Sequence, residues 1–403
     1  MWEKDININE VKELRTKSTI YFGVGAIEKI EDIIKSLKAK NIHKAIVISG
    51  KNAYKLTGAW DYIKKALETN SVEYINYDKV SPNPTTHQVD EATKLARDFK
   101  AQAVIAIGGG SAIDAGKSAA ILLEYPEKNA TELYNYEFEA QKAVPIVAVN
   151  LTHGTGTEAN RFAVVTIPEK DFKPAIAYDC IYPLYSIDDP KLTTKLSANQ
   201  TLFVSVDAVN HVVEAATSKV ASPYSITLAK ETIRLVAKYL PLVIKNPDDL
   251  EARYYLLYAS LLGGVSFDNG LLHYTHALEH PLSAIKHDLS HGLGLAMLLP
   301  AVVKHIYKEK YNTLSDILSP IISGLKAEPE GGEYCAKELE KWLIGIGIDK
   351  KLKDEGFSEA DIEKLTELAF NTPSLGMLLG LAPNEASKQI VSTIYRESLD
   401  FYN

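Results

Sequence analysis

The chain has 403 residues, 46% of them hydrophobic, and a formal net charge of -8. That length can bury a large core and is expected to split into two domains, while the acidic balance argues against nucleic acid or an anionic membrane as the main partner. No apolar run reaches the length of a membrane span, the N-terminal Met-Trp-Glu-Lys-Asp-Ile-Asn carries no secretory core, and the two cysteines, Cys180 and Cys335, form no framework or metal spacing.

A reducing cytoplasm suits that cysteine usage. Only two Cys and three Met also suit a thermophile. Residues 44–49 (Lys-Ala-Ile-Val-Ile-Ser) read as a buried strand, 72–77 as a more exposed one, and 103–107 and 144–149 as two more buried strands. Between them, segments such as Thr86–Phe99 carry helical periodicity. Strands alternating with helices predict a parallel sheet covered on both faces. After Asp188-Asp-Pro the texture changes. Ser197-Ala-Asn-Gln200 resembles a capping box, and apolar-periodic segments follow at 201–218, 223–243, 252–262 and 335–344, broken at Pro, Gly and Asn-Pro pairs. The expected division is an α/β domain over 1–195 and an all-helical one over 196–403.

Two loops carry ligand-binding chemistry. The strand at 103–107 runs into Gly108-Gly-Gly-Ser-Ala-Ile-Asp114 and then a helix. Glycines between a strand and a helix let backbone amides approach a phosphate, which the helix N-terminus also favours. Gly108 and Gly110 fit the Rossmann fingerprint but Ile113 stands at its third glycine, and Lys117 lies too deep in the helix for a Walker A loop. A plain strand-to-helix turn is the alternative. The strand at 144–149 leads into Asn150-Leu-Thr-His-Gly-Thr-Gly-Thr-Glu158, whose hydroxyls and amides suit a pyrophosphate or a nicotinamide amide outside a strand's carboxyl end. A polar turn is the alternative there, with His153 as a loop residue.

The other chemistry is histidine. Five of the ten histidines fall between His273 and His291. Asp207 and His211 are four residues apart in a helix-compatible stretch, and His276 and His280 repeat the spacing, so each pair shares one helical face. One carboxylate and several imidazoles gathered from separate helices make a site for a divalent transition metal, although each pair alone could be a satisfied helix contact.

Gly108-Gly-Gly-Ser-x-x-Asp114, Thr152-His-Gly-Thr-Gly-Thr-Glu158, Asp207-x-x-x-His211 and His276-x-x-x-His280-Pro-Leu…His291-Gly together resemble the iron-containing (group III) alcohol dehydrogenases. The likeness runs from Tyr21-Phe-Gly-Val-Gly-Ala26 to the helical end, and within the family it is to the archaeal and thermophilic NADP-dependent branch. The resemblance implies a dehydroquinate synthase-like fold: a Rossmann-like α/β dinucleotide-binding domain followed by an all-α metal-binding domain. It implies a metal held by Asp207, His211, His276 and His291, with Fe(II) the usual ion, and His280 relaying a proton near the substrate. Zinc or nickel could occupy the same ligands. His273 and His287 match no ligand position and are expected on the helix surface or the pocket rim. Cofactor contacts are expected from Gly109, Gly110, Ser111 and Asp114, from Thr152 and Thr155, and by resemblance from Asn83 and Lys173. For the last two, turn chemistry and a solvated lysine are the alternatives. A homodimer is implied as well.

Where NAD-preferring members carry an Asp after the first strand, this chain has Gly50, followed by Lys51. Losing a carboxylate and gaining a cation favours NADP(H) over NAD(H), unless Gly50 is a turn that accepts either. The expected reaction is reversible hydride transfer between a primary alcohol and NADP+, with the metal as Lewis acid. A glycerol-dehydrogenase-like polyol oxidoreductase using zinc and NAD is the nearest alternative. Dehydroquinate synthase needs basic residues not found around His276, and maleylacetate reductases need no metal. A metal-dependent hydrolase or lyase would leave the Gly and Thr loops idle, and a non-catalytic nucleotide-binding module would leave the histidines idle. Phe162, Phe267 and Leu271 are candidate substrate-lining residues, with core packing the alternative.

Overall fold

The computed structural model describes residues 17–402; the N-terminal heptapeptide read above for a secretory core lies outside them. The first half lays down β1 (Thr19–Phe22), α1 (Ile30–Ala39), β2 (Lys44–Gly50), α2 (Ala53–Leu56), α3 (Ala59–Thr69), β3 (Glu73–Val80), α4 (Thr86–Phe99), β4 (Ala103–Gly108), α5 (Gly110–Glu124), α6 (Ala130–Tyr134) and β5 (Ile146–Asn150). A short antiparallel pair follows, β6 (Phe162–Val164) and β7 (Ala175–Ala177), and then β8 (Tyr185–Asp188). Six strands form one parallel sheet in the order β1-β8-β5-β4-β2-β3.

The central strands are continuous apolar runs because both faces are covered. Ile46, Ile48, Val104 and Ala106 point to the side packed with α4 and α5 residues such as Val89 and Ile113. Their neighbours Ala45, Val47, Ile105 and Ile107 point to the side packed with Ile33, Ile34 and Ile63 of α1 and α3. This is the two-residue period of a strand. The register aligns Gly108 with Asn150 and Asn150 with Asp188. Ser49 pairs with Ile107, so Gly50 ends its strand at the same margin. The loops after β2, β4 and β5 therefore leave from one edge of the sheet, where open α/β sheets bind ligands.

From Ala198 onward the described chain is helical: α7 (Ala198–Thr217), α8 (Pro223–Lys245), α9 (Leu250–Gly270), α10 (Tyr274–Ile285), α11 (His291–Ile317), α12 (Gly332–Ile346), α13 (Ile362–Asn371), α14 (Leu375–Gly380) and α15 (Lys388–Glu397). Ser197 Oγ accepts the Gln200 N–H at 3.1 Å, which starts α7 as its Ser-x-x-Gln spacing suggested. Val206, Val209 and Val213 of α7 share one core with Leu256, Leu278, Leu298 and Val302. Among the described residues no helix is long and apolar enough to cross a membrane.

The four strands expected from the sequence are present as β2, β3, β4 and β5. β1, β8 and the β6/β7 pair had not been foreseen, being only three or four residues each. The helix expected over 252–262 continues as α9 through Gly263 and Gly264 to Gly270. Those glycines had marked its end, since glycine disfavours a helix interior. Here the missing side chain is used: a Cβ on Gly264 would stand 2.3 Å from Gly156 O. The β5 loop thus lies against the backbone of α9.

Candidate active site

Three helices converge beside the carboxyl edge of the sheet. On α7, Asp207, His211 and Glu214 follow an i, i+4, i+7 spacing and so face the same way. On α10, His276, Glu279 and His280 do the same over i, i+3, i+4. His291 opens α11. Asp207 Oδ1 lies 3.5 Å from His211 Nε2, 3.6 Å from His276 Nε2 and 4.0 Å from His291 Nε2. Ligand atoms of Asp207, His276 and His291 fall within 4.8 Å of one another.

The opposite ring nitrogens are tied down. Glu214 takes His276 Nδ1 and Glu279 takes His291 Nδ1. Glu214 also accepts the backbone N–H groups of His273 and His276, at 2.9 and 3.3 Å. Carboxylates behind imidazoles are the usual way of fixing a metal-ligand histidine in one tautomer and orientation. On the inner side, Asp207 Oδ1 and His276 Nε2 are buried without a hydrogen-bond partner among the described residues. Orphaned buried donors and acceptors are rare and call for a missing partner. One carboxylate oxygen and the imidazole nitrogens of His276 and His291 around one point fit a divalent transition ion, while His211, 3.5 Å from Asp207, falls outside that grouping.

Burial works against the Asp207 charge, but His211, His276 and His291 hold its carboxyl down at about 2. Burial also opposes a charge on His276, yet the Glu214 and Asp207 carboxylates raise it to about 9. His211, more exposed to the cost of burial than to Asp207's pull, falls to about 4. His280 is held well below the ordinary histidine range by burial and by the nearby Lys173 charge, so it stays neutral. Its Nδ1 has no hydrogen-bond partner among the described residues, and its ring centroid is 5.8 Å from that of His291.

The cofactor edge meets this cluster. Gly50, Gly109, Gly110, Ser111, Thr152 and Thr155 are all partly exposed, on loops leaving the same edge of the sheet. The two loops interlock: a Cβ on Gly109 would lie 2.7 Å from Thr152 Cγ2, and one on Gly110 2.6 Å from Thr155 Cγ2. Beneath them, His153 bonds Ser205 on α7 at 3.1 Å, two residues before Asp207.

Some expected residues do other work. Asp114 is buried and accepts Thr157 Oγ1 at 2.8 Å and the Val164 N–H at 2.9 Å, so both oxygens anchor the loop and β6. Lys117, buried one turn along α5 and lowered to about 8 by that burial, donates to the carbonyls of Thr157, Asn160 and Phe162 at 2.7, 2.9 and 2.7 Å. Asn83 donates to the carbonyls of His287 and Leu289 at 3.1 and 3.3 Å and accepts from Lys173 Nζ at 3.0 Å. Lys173 is buried, 2.8 Å from Ser283 Oγ, 3.4 Å from Glu279 Oε2 and 3.5 Å from His291 Nδ1, so it is no solvated surface lysine. His287 is exposed, in the turn before α11, but His273, expected at the surface or the pocket rim, is fully buried. His273 caps α10, accepting the Tyr274 N–H at 2.7 Å, and pairs with Thr217 Oγ1 at 2.9 Å. Sequence reasoning missed Glu214 and Glu279. Their signal was present, as acidic residues at i+7 from Asp207 and i+3 from His276 inside apolar runs.

Comparison with known proteins agrees with this layout. A family model described as iron-containing alcohol dehydrogenase matches residues 17–190, and one for the C-terminal part of the Fe-containing alcohol dehydrogenase family matches 201–399. The chain is 58% identical to the long-chain primary alcohol dehydrogenase AdhA of Thermoanaerobacter ethanolicus, over 99% of this chain and 100% of that one. Among solved structures, an archaeal halo-thermophilic alcohol dehydrogenase from a Red Sea brine pool matches at a TM-score of 0.89 and 28% identity, covering 97% of this chain and 100% of that one. The NADH-dependent butanol dehydrogenase A of Thermotoga maritima matches at 0.88 and 28%, covering 97% and 99%.

Proposed function

The chain belongs to the iron-containing alcohol dehydrogenase family, and on that premise we propose that it interconverts primary alcohols and aldehydes with NADP(H), using an ion held by Asp207, His211, His276 and His291. The observation that carries the reading is the buried, unpartnered pair Asp207 Oδ1 and His276 Nε2, joined by His291 from a third helix within 4.8 Å. Fe(II) is the expected ion, with zinc or nickel as possible occupants of the same donors. The two working units are 1–195, which binds the dinucleotide, and 196–403, which holds the ion. The reading extends to a cytoplasmic homodimer.

When bound, the ion supplies Lewis acidity toward the alcohol oxygen and the nicotinamide supplies the hydride acceptor. The chain's own residues do the rest. Glu214 and Glu279 aim His276 and His291 inward. The Gly109–Ser111 amides and the Thr152 and Thr155 hydroxyls stand where a dinucleotide would cross the sheet edge. Neutral His280 offers its unpartnered Nδ1 to take up or return the proton of the substrate hydroxyl. Phe267 stacks on His211 and Phe162 tilts against Phe267, and Leu271, just past the end of α9, is kept as a third candidate for the substrate wall. An apolar wall of this kind suits an alkyl chain, in keeping with the long-chain alcohols named for the Thermoanaerobacter relative.

Gly50 supports NADP(H). It leaves the end of β2 without a carboxylate, beside exposed Lys51, and a Cβ there would meet Val80 O at 3.3 Å. The test is a set of initial rates for aldehydes from acetaldehyde to decanal, with NADPH and with NADH. We expect turnover that favours NADPH and the longer aldehydes, and a Gly50→Asp variant whose NADPH/NADH ratio moves about tenfold or more toward NADH. Silence with every aldehyde and both cofactors would overturn the assignment. A preference for NADH in the parent would discard the Gly50 argument alone.

A further inference from the structure

We propose that Phe267 is a positioning residue for the ion site, holding the His211 imidazole by its face where no hydrogen bond holds its edge; the proposal rests on the ligand set assigned above. His276 and His291 each give their outer nitrogen to a buried carboxylate, Glu214 and Glu279. His211 has no such support. Its Nε2 faces Asp207 at 3.5 Å, while its Nδ1 is buried without a hydrogen-bond partner among the described residues. An imidazole attached through a broad sp³–sp² torsion can swing about that bond unless something fixes the plane.

Here the plane is fixed from both sides. The Phe267 ring stacks on one face with centroids 4.6 Å apart and planes 23° apart. The His276 ring stacks on the other, also at 4.6 Å, with planes 16° apart. Phe267 is 5% exposed, with the Phe162 ring packed beside it at a centroid distance of 5.2 Å. It comes from α9, so a fourth helix contributes to a cluster whose donors all lie on α7, α10 and α11. The stack orders His211 before any ion arrives. The ion then meets a donor already in place, as it does at the two histidines backed by carboxylates.

The experiment is titration of chelator-stripped protein with Co(II), read by the visible d–d absorption of the bound ion. The set is the parent, Phe267→Leu, Phe267→Tyr, Phe162→Leu and Asp207→Ala. Phe267→Leu is expected to bind Co(II) about tenfold more weakly and with an altered spectrum, because supporting partners of metal ligands are worth roughly 10- to 100-fold in affinity. Phe267→Tyr, which keeps the ring, is expected to restore both, and Phe162→Leu to bind within about twofold of the parent. If Phe267→Leu does not fold, the unbranched Phe267→Met takes its place. Parent-like affinity and spectrum in the ringless variant would overturn the proposal. So would equal losses in Phe267→Leu and Phe162→Leu, which would mean general packing. Failure of the underlying ligand assignment looks different: Asp207→Ala would then bind as tightly as the parent, or the parent would not bind at all.

Discussion

His280, like His211 and unlike His276 and His291, has no carboxylate bonded behind it; burial keeps it neutral and its Nδ1 stays unpartnered. That state suits the proton-carrying role proposed for it. Replacing it by alanine should therefore lower kcat by about 100-fold or more while leaving the ion content of the protein unchanged. Parallel loss of ion and activity in His280→Ala would make it a ligand instead. At this scale the sequence was informative where two chemistry-bearing residues shared a helical face, as with Asp207 and His211. Its signal for Glu214 and Glu279 was weak, because a lone glutamate in a helix is ordinarily solvated and only tertiary packing buries these two. It was misleading on His273, whose burial and capping role depend on where α9 ends.

The elements around the cofactor edge show a second kind of buried acid. Glu158, in the loop after β5, is fully buried, and neither carboxylate oxygen has a hydrogen-bond partner among the described residues. Burial raises its carboxyl from 4.5 to about 7, although the Lys117 charge pulls the other way. Asp188 at the end of β8 is likewise raised, by burial and by Glu158. A carboxyl whose folded pKa is raised contributes stability that is complete below its unfolded value and is lost as pH climbs through the folded one. For Glu158 that window runs from 4.5 to about 7. Glu158→Gln cannot ionise, so its melting temperature should rise relative to the parent between pH 5 and pH 8, by the equivalent of roughly 1–3 kcal/mol. A difference between the two melts that does not change with pH would contradict this. The same region explains what element-level reading could not reach. The strands at 44–49 and 103–107 announce themselves as apolar runs. By contrast, β1 and β8 are four residues each, and α9 passes through two glycines whose value lies in contact with a distant loop.

Across the whole molecule, several polar contacts tie the two halves together. Asn83 and Lys173 come from the α/β part, and they reach the loop before α11 and the Glu279–His291 pair of the helical part. On the other flank His153 bonds Ser205, and Gly156 lies on Gly264. The loop after β5 is thus seated on α7, which carries Asp207 and His211, and on α9, an arrangement that suits the proposed hydride transfer between a dinucleotide and an ion-held oxygen. The alternation of strands and helices, and the change of texture after Asp188, made the two-part architecture legible from the chain alone. The seam between the parts was not, since its bonds join residues 52 to 206 positions apart.

The dependence of turnover on an ion at this seam is the claim on which the rest stands. The direct measurement is NADPH oxidation with butyraldehyde by protein stripped with a chelator, before and after anaerobic reloading with Fe(II). Negligible activity is expected in the stripped protein, with its return on reloading and no return in Asp207→Ala. Full activity without any ion, or an Asp207→Ala variant that recovers like the parent, would contradict that claim.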